Sequence, residues 1–330
     1  MAETKPHVLV TRRLPPGPMT RIAERFEAEV WEGEDAIPRD RLLEGIAGKV
    51  AAITLLTDRV DDELLDAAGP ELRIVANYAV GFDNIDVEAC TRRGVMATNT
   101  PEVLTETTAD TAWALMMAAA RRVAEGDRFL RSRTPWIWGP EMMLGRDIHG
   151  KVLGIVGFGR IGQAVARRGK GFGMAVRYHD PFRPSSEVER DLGAEYRELD
   201  ELLAESDFVS IHVALTPETR HLFDRERLRR MKPTAVLVNT SRGPVIDEAA
   251  LVEALREGDL FAAGLDVFEN EPEVHPGLLE LDSAVIIPHL GSATVETRDA
   301  MAFLAVENVE AALAGRRPPT LLNPETWQGA

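Results

Sequence analysis

The sequence predicts an α/β protein of two lobes, each a doubly wound parallel sheet covered by helices, with a ligand cleft between the lobes. Three observations predict it. Short apolar runs that read as strands alternate with helical stretches in two successive series. The 330 residues suit two domains of about 100–200 residues each. A hydrophobic fraction of 45% excludes a disordered or fibrous chain.

In chain order, the runs 7–11 (HVLVT), 51–56 (AAITLL), 73–76 (RIVA) and 95–98 (VMAT) read as four strands. Helices lie between them, among them 19–26 and 61–68. A long Ala-, Leu- and Met-rich helix is expected over 101–122. Glu102 or Thr105 suits its start, and Arg121 and Arg122 suit its carboxyl end. A loop over 132–145 follows, with Pro135, Trp136, Trp138, Gly139 and Pro140. A second series of strands is expected at 152–156, 175–179, 208–213, 235–239, 262–267 and 284–287. After Gly291 a helical pattern runs to about Ala314, and a Pro-containing tail covers 317–330. The first lobe is then 1–100 plus 293–330, and the second, inserted lobe is 101–292.

Charge and cysteine content narrow the function classes. With 54 acidic and 38 basic residues the net charge is −16, which argues against a general nucleic-acid binder. The single cysteine, Cys90, excludes an intrachain disulfide and a Cys-rich metal site, and no metal is expected. No run approaches the ~18 uncharged apolar residues of a membrane helix. The stretch Met1 to Val10 lacks a signal-peptide core, so the expectation is a cytoplasmic protein with no membrane partner.

The first chemical motif is Gly157-Phe158-Gly159-Arg160-Ile161-Gly162, between the strand KVLGIV and an apparent helix. Gly157 suits a tight turn, Gly159 a close approach of the backbone to a pyrophosphate, and Gly162 the packing of helix on strand. The helix amino terminus supplies N–H donors and a partial positive charge. Alone this pattern reads equally as a structural turn. The next strand, however, ends at Asp180, followed by Pro181, 18 residues after Gly162. A carboxylate there accepts hydrogen bonds from a ribose diol and repels a 2′-phosphate. NAD(H) is therefore favoured; Arg177 and Arg183 nearby keep NADP(H) open. The inserted lobe is the expected dinucleotide-binding domain, of Rossmann-like or flavodoxin-like type, and the other the substrate-binding domain.

A second cluster lies where the later strands end: His212, Thr240-Ser241-Arg242, Asp266, His289 and Gly291. Ligands of doubly wound sheets bind at the carboxyl ends of strands, so these residues are expected beside the dinucleotide. Read singly, Arg242 is a surface arginine near a turn, Glu271 a solvated loop acid, and His289 and His212 satisfied core histidines. Read together, Arg242, Glu271 and His289 form a set for reducing a 2-keto acid. Arginine grips the carboxylate, histidine donates the proton, and glutamate orients the histidine and stabilises its charged form.

The fragments NYAVGFDNID (77–86), TNTPEVLTETTAD (98–110), GFGRIG (157–162), NTSRGPVID (239–247), AGLDVFENEP (263–272) and PHLGSAT (288–294) together resemble, in order, the signatures of the D-isomer-specific 2-hydroxyacid dehydrogenases. The resemblance covers nearly the whole chain. It implies a catalytic Arg242, Glu271 and His289, and a substrate loop at Val80-Gly81 whose amides hold the substrate carboxylate, with Leu56 lining the same cleft. The NYAVG and GSAT forms are similar to those of glyoxylate-reducing members, which implies glyoxylate reduction to glycolate and hydroxypyruvate reduction to D-glycerate. A 3-phosphoglycerate dehydrogenase would want a basic residue where Leu55-Leu56 stand, and a regulatory carboxyl-terminal domain. A dinucleotide-sensing co-repressor would carry extended disordered tails. Formate dehydrogenases have glutamine in place of Glu271. The resemblance also implies a homodimer through the dinucleotide-binding domain. Trp113, Leu115, Met116 and Met117 on the long helix suit such an interface, though packing inside the chain explains them nearly as well. The loop with Trp136, Trp138, Met142 and Met143 either packs locally or reaches a neighbouring subunit. Cys90 reads as a small core residue.

Overall fold

The computed structural model describes residues 5–327; Met1–Thr4 of the polar start and the last three residues of the tail lie outside them. The chain divides into two compact units, one running to Leu104 and resuming at Ala293, the other Thr105–Ser292.

The first unit holds five parallel strands, β1 (His7–Val10), β2 (Glu27–Val30), β3 (Ala51–Thr54), β4 (Ile74–Asn77) and β5 (Met96–Thr98), in the order β2-β1-β3-β4-β5. Its interior strands β3 and β4 are buried at every position because both faces are covered, and are apolar except for Thr54 and Asn77 at their carboxyl ends. β2 was not expected. It is an edge strand, with alternate residues exposed, and its sequence EAEV has no apolar run to mark it. The helix Val295–Leu313 packs on β3 and β4 of this unit, and Asn323 ties the tail to β5 by accepting from the Ala97 amide at 2.9 Å and donating to the Val95 carbonyl at 2.9 Å.

The second unit holds seven parallel strands: β6 (Val152–Val156), β7 (Ala175–His179), β8 (Ala194–Tyr196), β9 (Phe208–Ile211), β10 (Val236–Asn239), β11 (Ala262–Leu265) and β12 (Ala284–Ile286). Their order is β12-β11-β10-β9-β6-β7-β8, so the strand order reverses beside β6. Alternate residues serve opposite faces. Leu153, Ile155, Val236 and Val238 pack with Ala112, Trp113 and Met116 on one side. Val156, Val209, Ile211 and Leu237 pack with Leu202, Leu251 and Leu255 on the other. β8 was the second strand the sequence did not mark, and it is again an edge.

The expected helix 101–122 is shorter and is followed by another. It spans Thr105–Ala120, Arg122 takes a left-handed φ of 53°, and a second helix covers Val123–Arg131. Trp113, Leu115 and Met116 are buried within this unit, so the apolar excess of the helix is used internally, and of the four only Met117 is exposed. Exposed apolar residues lie elsewhere, among them Ile137 (92%) and Trp138 (76%) beyond the second helix and Phe182 (84%) after β7. Among the described residues no helix is long and apolar enough to cross a membrane.

Candidate functional site

In the second unit the carboxyl ends of all seven strands fall on one edge, and the predicted residues collect there. Gly157 ends β6 with a φ of +93°, which only glycine adopts readily. A Cβ on it would lie 2.6 Å from the His212 carbonyl carbon, so the loop after β9 closes over the turn. A Cβ on Gly162 would meet the Gly157 carbonyl oxygen at 2.2 Å, whereas one on Gly159 would meet no atom within 4 Å. Two glycines are thus filled by the protein and the middle one faces open space. That is the cradle a pyrophosphate requires at the amino terminus of the helix Arg160–Gly171. Ile161 is half-buried behind it.

Asp180 follows β7. Its Oδ2 accepts from the Phe158 amide at 2.6 Å and its Oδ1 from the Phe182 amide at 2.7 Å. The acid therefore laces the glycine loop to β7, and each oxygen keeps a lone pair for a further donor. Phe158 is buried and stacks on Tyr178 at 4.2 Å, and Pro181 is exposed.

His212 bonds Ser210 Oγ through Nε2 at 2.8 Å, and its Nδ1 is buried without a partner among the described residues. Burial pushes its pKa down to about 3, so the ring is neutral at physiological pH and unsuited to donate a proton there. After β10, Asn239 folds the turn. Its Oδ1 accepts from the Ser241 amide and hydroxyl at 3.0 and 2.8 Å, and its Nδ2 donates to the Arg242 carbonyl at 2.9 Å. Thr240 Oγ1 is buried and unbonded among the described residues.

His289 and Glu271 meet. His289 Nδ1 donates to Glu271 Oε2 at 2.8 Å, which leaves Nε2 as the ring's other working nitrogen. Glu271 Oε1 accepts from the Phe268 amide at 3.0 Å. Burial pulls the Glu271 carboxyl up, but the bond and charge of His289, the Phe268 amide and the charge of Arg242 outweigh it and hold the group below the ordinary glutamate range. The side chains of His289 and Glu271 are 29% and 28% exposed, so an incoming molecule has access to the pair. His289 itself has a left-handed φ of 51°. Asp266 anchors the turn, accepting from the Leu290 amide at 2.5 Å and the Gly291 amide at 2.8 Å, and burial raises its pKa against those bonds.

Contacts that no motif announced hold the Arg242 loop to the Glu271 loop. A Cβ on Gly243 would fall 1.9 Å from the Phe268 carbonyl carbon and oxygen. The His221 amide donates to the Pro244 carbonyl at 2.8 Å, and its Nε2 donates to Glu269 Oε1 at 2.6 Å. The Glu269 amide in turn donates to the buried Glu248 carboxyl. His221 and Glu269 are remote in sequence, and a single chain carries no signal of their pairing.

In the first unit, Leu56 follows β3 and Val80-Gly81 follow β4. The Thr100 amide donates to the Ala79 carbonyl at 2.8 Å, and Asn99 Nδ2 donates to the Val80 carbonyl at 2.8 Å. A trans peptide points its N–H opposite its C=O. The amides of Val80 and Gly81 therefore both point away from the Asn99–Thr100 segment, a paired arrangement suited to an anion. Asn77 Nδ2 fixes the loop further by donating to the Gly81 carbonyl at 3.0 Å.

Sequence comparison gives this arrangement its class. Residues 113–291 match the model of the D-isomer specific 2-hydroxyacid dehydrogenase NAD binding domain. The chain belongs to the D-isomer specific 2-hydroxyacid dehydrogenase family, enzymes that use a nicotinamide dinucleotide. Within it, the chain is 54% identical to the glyoxylate reductase of Thermococcus onnurineus, over 97% of each chain. Among solved structures, a Thermus thermophilus protein is 48% identical, with a TM-score of 0.90 over 96% of this chain and 99% of that one. The NADPH-dependent glyoxylate/hydroxypyruvate reductase of Sinorhizobium meliloti, solved with NADP and malonate, is 34% identical, with a TM-score of 0.83 over 98% of both chains.

Proposed function

We propose that this protein is an NAD(H)-dependent reductase of small 2-keto acids, taking glyoxylate to glycolate foremost and hydroxypyruvate to D-glycerate beside it. The observation that carries the reading is the His289–Glu271 bond of 2.8 Å, within the electrostatic reach of Arg242. A dihydronicotinamide, when bound, would supply the hydride for the carbonyl carbon. His289, as imidazolium, gives the Nε2 proton to the carbonyl oxygen and is left neutral, still bonded to Glu271 through Nδ1. Glu271 keeps the ring oriented and compensates its charge. Arg242 holds the substrate carboxylate and polarises the adjacent carbonyl. On the first unit, the outward amides of Val80 and Gly81 suit a substrate carboxylate, and Leu56 the space for a substituent.

The glycine turn and Asp180 would hold the dinucleotide, together with Thr240, Asp266 and Gly291 at the strand ends. Asp180 favours NAD(H), because a 2′-phosphate would sit against its carboxylate. Exposed Ile137 and Trp138 support a homodimer formed by the dinucleotide-binding unit; gel filtration giving only monomer would dismiss that part.

The test is a panel assay with NADH and NADPH against glyoxylate, hydroxypyruvate, pyruvate and 3-phosphohydroxypyruvate. Glyoxylate with NADH should give the highest kcat/KM. His289→Asn should lower kcat by about 10²–10⁴-fold with little effect on NADH affinity. Turnover unchanged in that variant removes His289 from the role.

A further inference from the structure

We propose that Glu189 takes part in cofactor choice by holding Arg183 out of use. The inference rests on the dinucleotide reading above and extends it to a residue outside the phosphate and ribose positions.

Arg183 lies three residues beyond Asp180, on the loop that leaves the carboxyl end of β7. A guanidinium at such a place is a natural receptor for a 2′-phosphate, since it offers paired, charge-assisted N–H donors. Here it is already engaged on two sides. Its Nη2 donates to Glu189 Oε1 at 2.9 Å, and its Cζ sits 4.7 Å over the Tyr196 ring. Glu189 is anchored from beneath: the same Oε1 accepts from the hydroxyl of Tyr178, a fully buried residue of β7. Tyr178 stacks on Phe158, whose amide donates to Asp180. The carboxylate that occupies Arg183 is thus tied to the same framework that sets the glycine turn.

The exposures fit a latch. The Arg183 side chain is 57% exposed and Glu189 only 21%, so the arginine is free to swing while the acid stays. Arg177 on β7 and Arg197 just beyond β8 face different carboxylates: Arg177 meets Glu195 at 3.3 Å and Glu205 at 3.6 Å, and Arg197 meets the same two at 2.9 and 3.4 Å. For Arg183 to take a phosphate it must leave Glu189 and give up that ion pair. Glu189 is therefore a positioning residue, and its effect on NADPH passes entirely through Arg183.

The test measures NADH and NADPH dissociation constants, by fluorescence, for the full chain and for Glu189→Gln, Arg183→Ala and the double variant. Glu189→Gln should tighten NADPH by about threefold to fivefold, the scale of one partly exposed charge pair. NADH affinity should stay within about twofold, which also reports a folded site. In the Arg183→Ala background the Glu189 substitution should change nothing. Glu189→Ala, which also removes the acceptor from Tyr178, should shift NADPH in the same direction. An unchanged NADPH-to-NADH ratio in both Glu189 variants overturns the proposal. So does a gain that survives Arg183→Ala, or an equal change for both cofactors. If the wild-type chain binds neither dinucleotide, the underlying reading fails and takes this one with it.

Discussion

Gly243→Ala separates the positioning of Arg242 from its chemistry. An added Cβ would lie 1.9 Å from the carbonyl carbon and oxygen of Phe268 and 2.5 Å from the Glu269 amide nitrogen. Ordinary contact begins near 3.4 Å, so the two segments must part by about 1.5 Å. Both neighbours are backbone, and no flexible side-chain end is available to yield. Overpacking of this kind costs about 1–3 kcal/mol. In a unit of this size each kcal/mol lowers Tm by about 2–4 °C. The geometric consequence is larger, because the shift moves the Arg242 loop away from the loop that carries Glu271. A misplacement of about 1 Å costs on the order of a hundredfold in rate. Steady-state assays well below the melting temperature should therefore find kcat/KM for the keto acid down about 100-fold. NADH affinity, set at the glycine turn on β6, should change by less than about threefold. A folded Gly243→Ala protein with wild-type kcat/KM refutes the claim that this contact sets the site.

Three other outcomes follow from particular contacts. Glu271 is held below its ordinary value of 4.5, so the stability it contributes is full above that value and is lost as pH falls through the lowered one. Glu271→Gln should flatten the acid limb of a Tm–pH curve and lower kcat about 10–100-fold; an unchanged acid limb contradicts the assignment. Burial, with the charge of Asp86 beside it, pushes the Cys90 thiol up to about 12, so thiol reagents should label it only as the fold opens in denaturant. Asn323→Ala strands the Ala97 amide and the Val95 carbonyl, and urea unfolding should register a loss of about 2–5 kcal/mol.

Strands β6, β9, β10 and β11 were legible because a parallel strand covered on both faces must be largely apolar, and Ser210 and Asn239 are their only polar residues. The glycine spacing was legible because a tight turn and a close packing each tolerate one residue type. The candidate residues read as a set: Arg242 and His289 lie just past β10 and β12, and Glu271 in the loop after β11. What the reading missed follows equally physical lines. β2 and β8 are edges, half wet, and a half-wet strand has no composition of its own. The break at Arg122 depends on one left-handed residue between two helix-forming stretches.

The chain alone therefore determined the kind of fold and the glycine turn after β6, since local sterics and burial dictate those from nearby residues, and it offered Arg242, Glu271 and His289 as candidates. Only the tertiary structure decided how the groups are aimed. The Asn99–Thr100 segment turns two amides outward, Gly243 lets one loop seat on another, and the His221–Glu269–Glu248 chain ties the loops together. Each of these joins residues far apart in sequence. Their energies depend on ångström-scale approach, which residue order does not encode until the chain has folded.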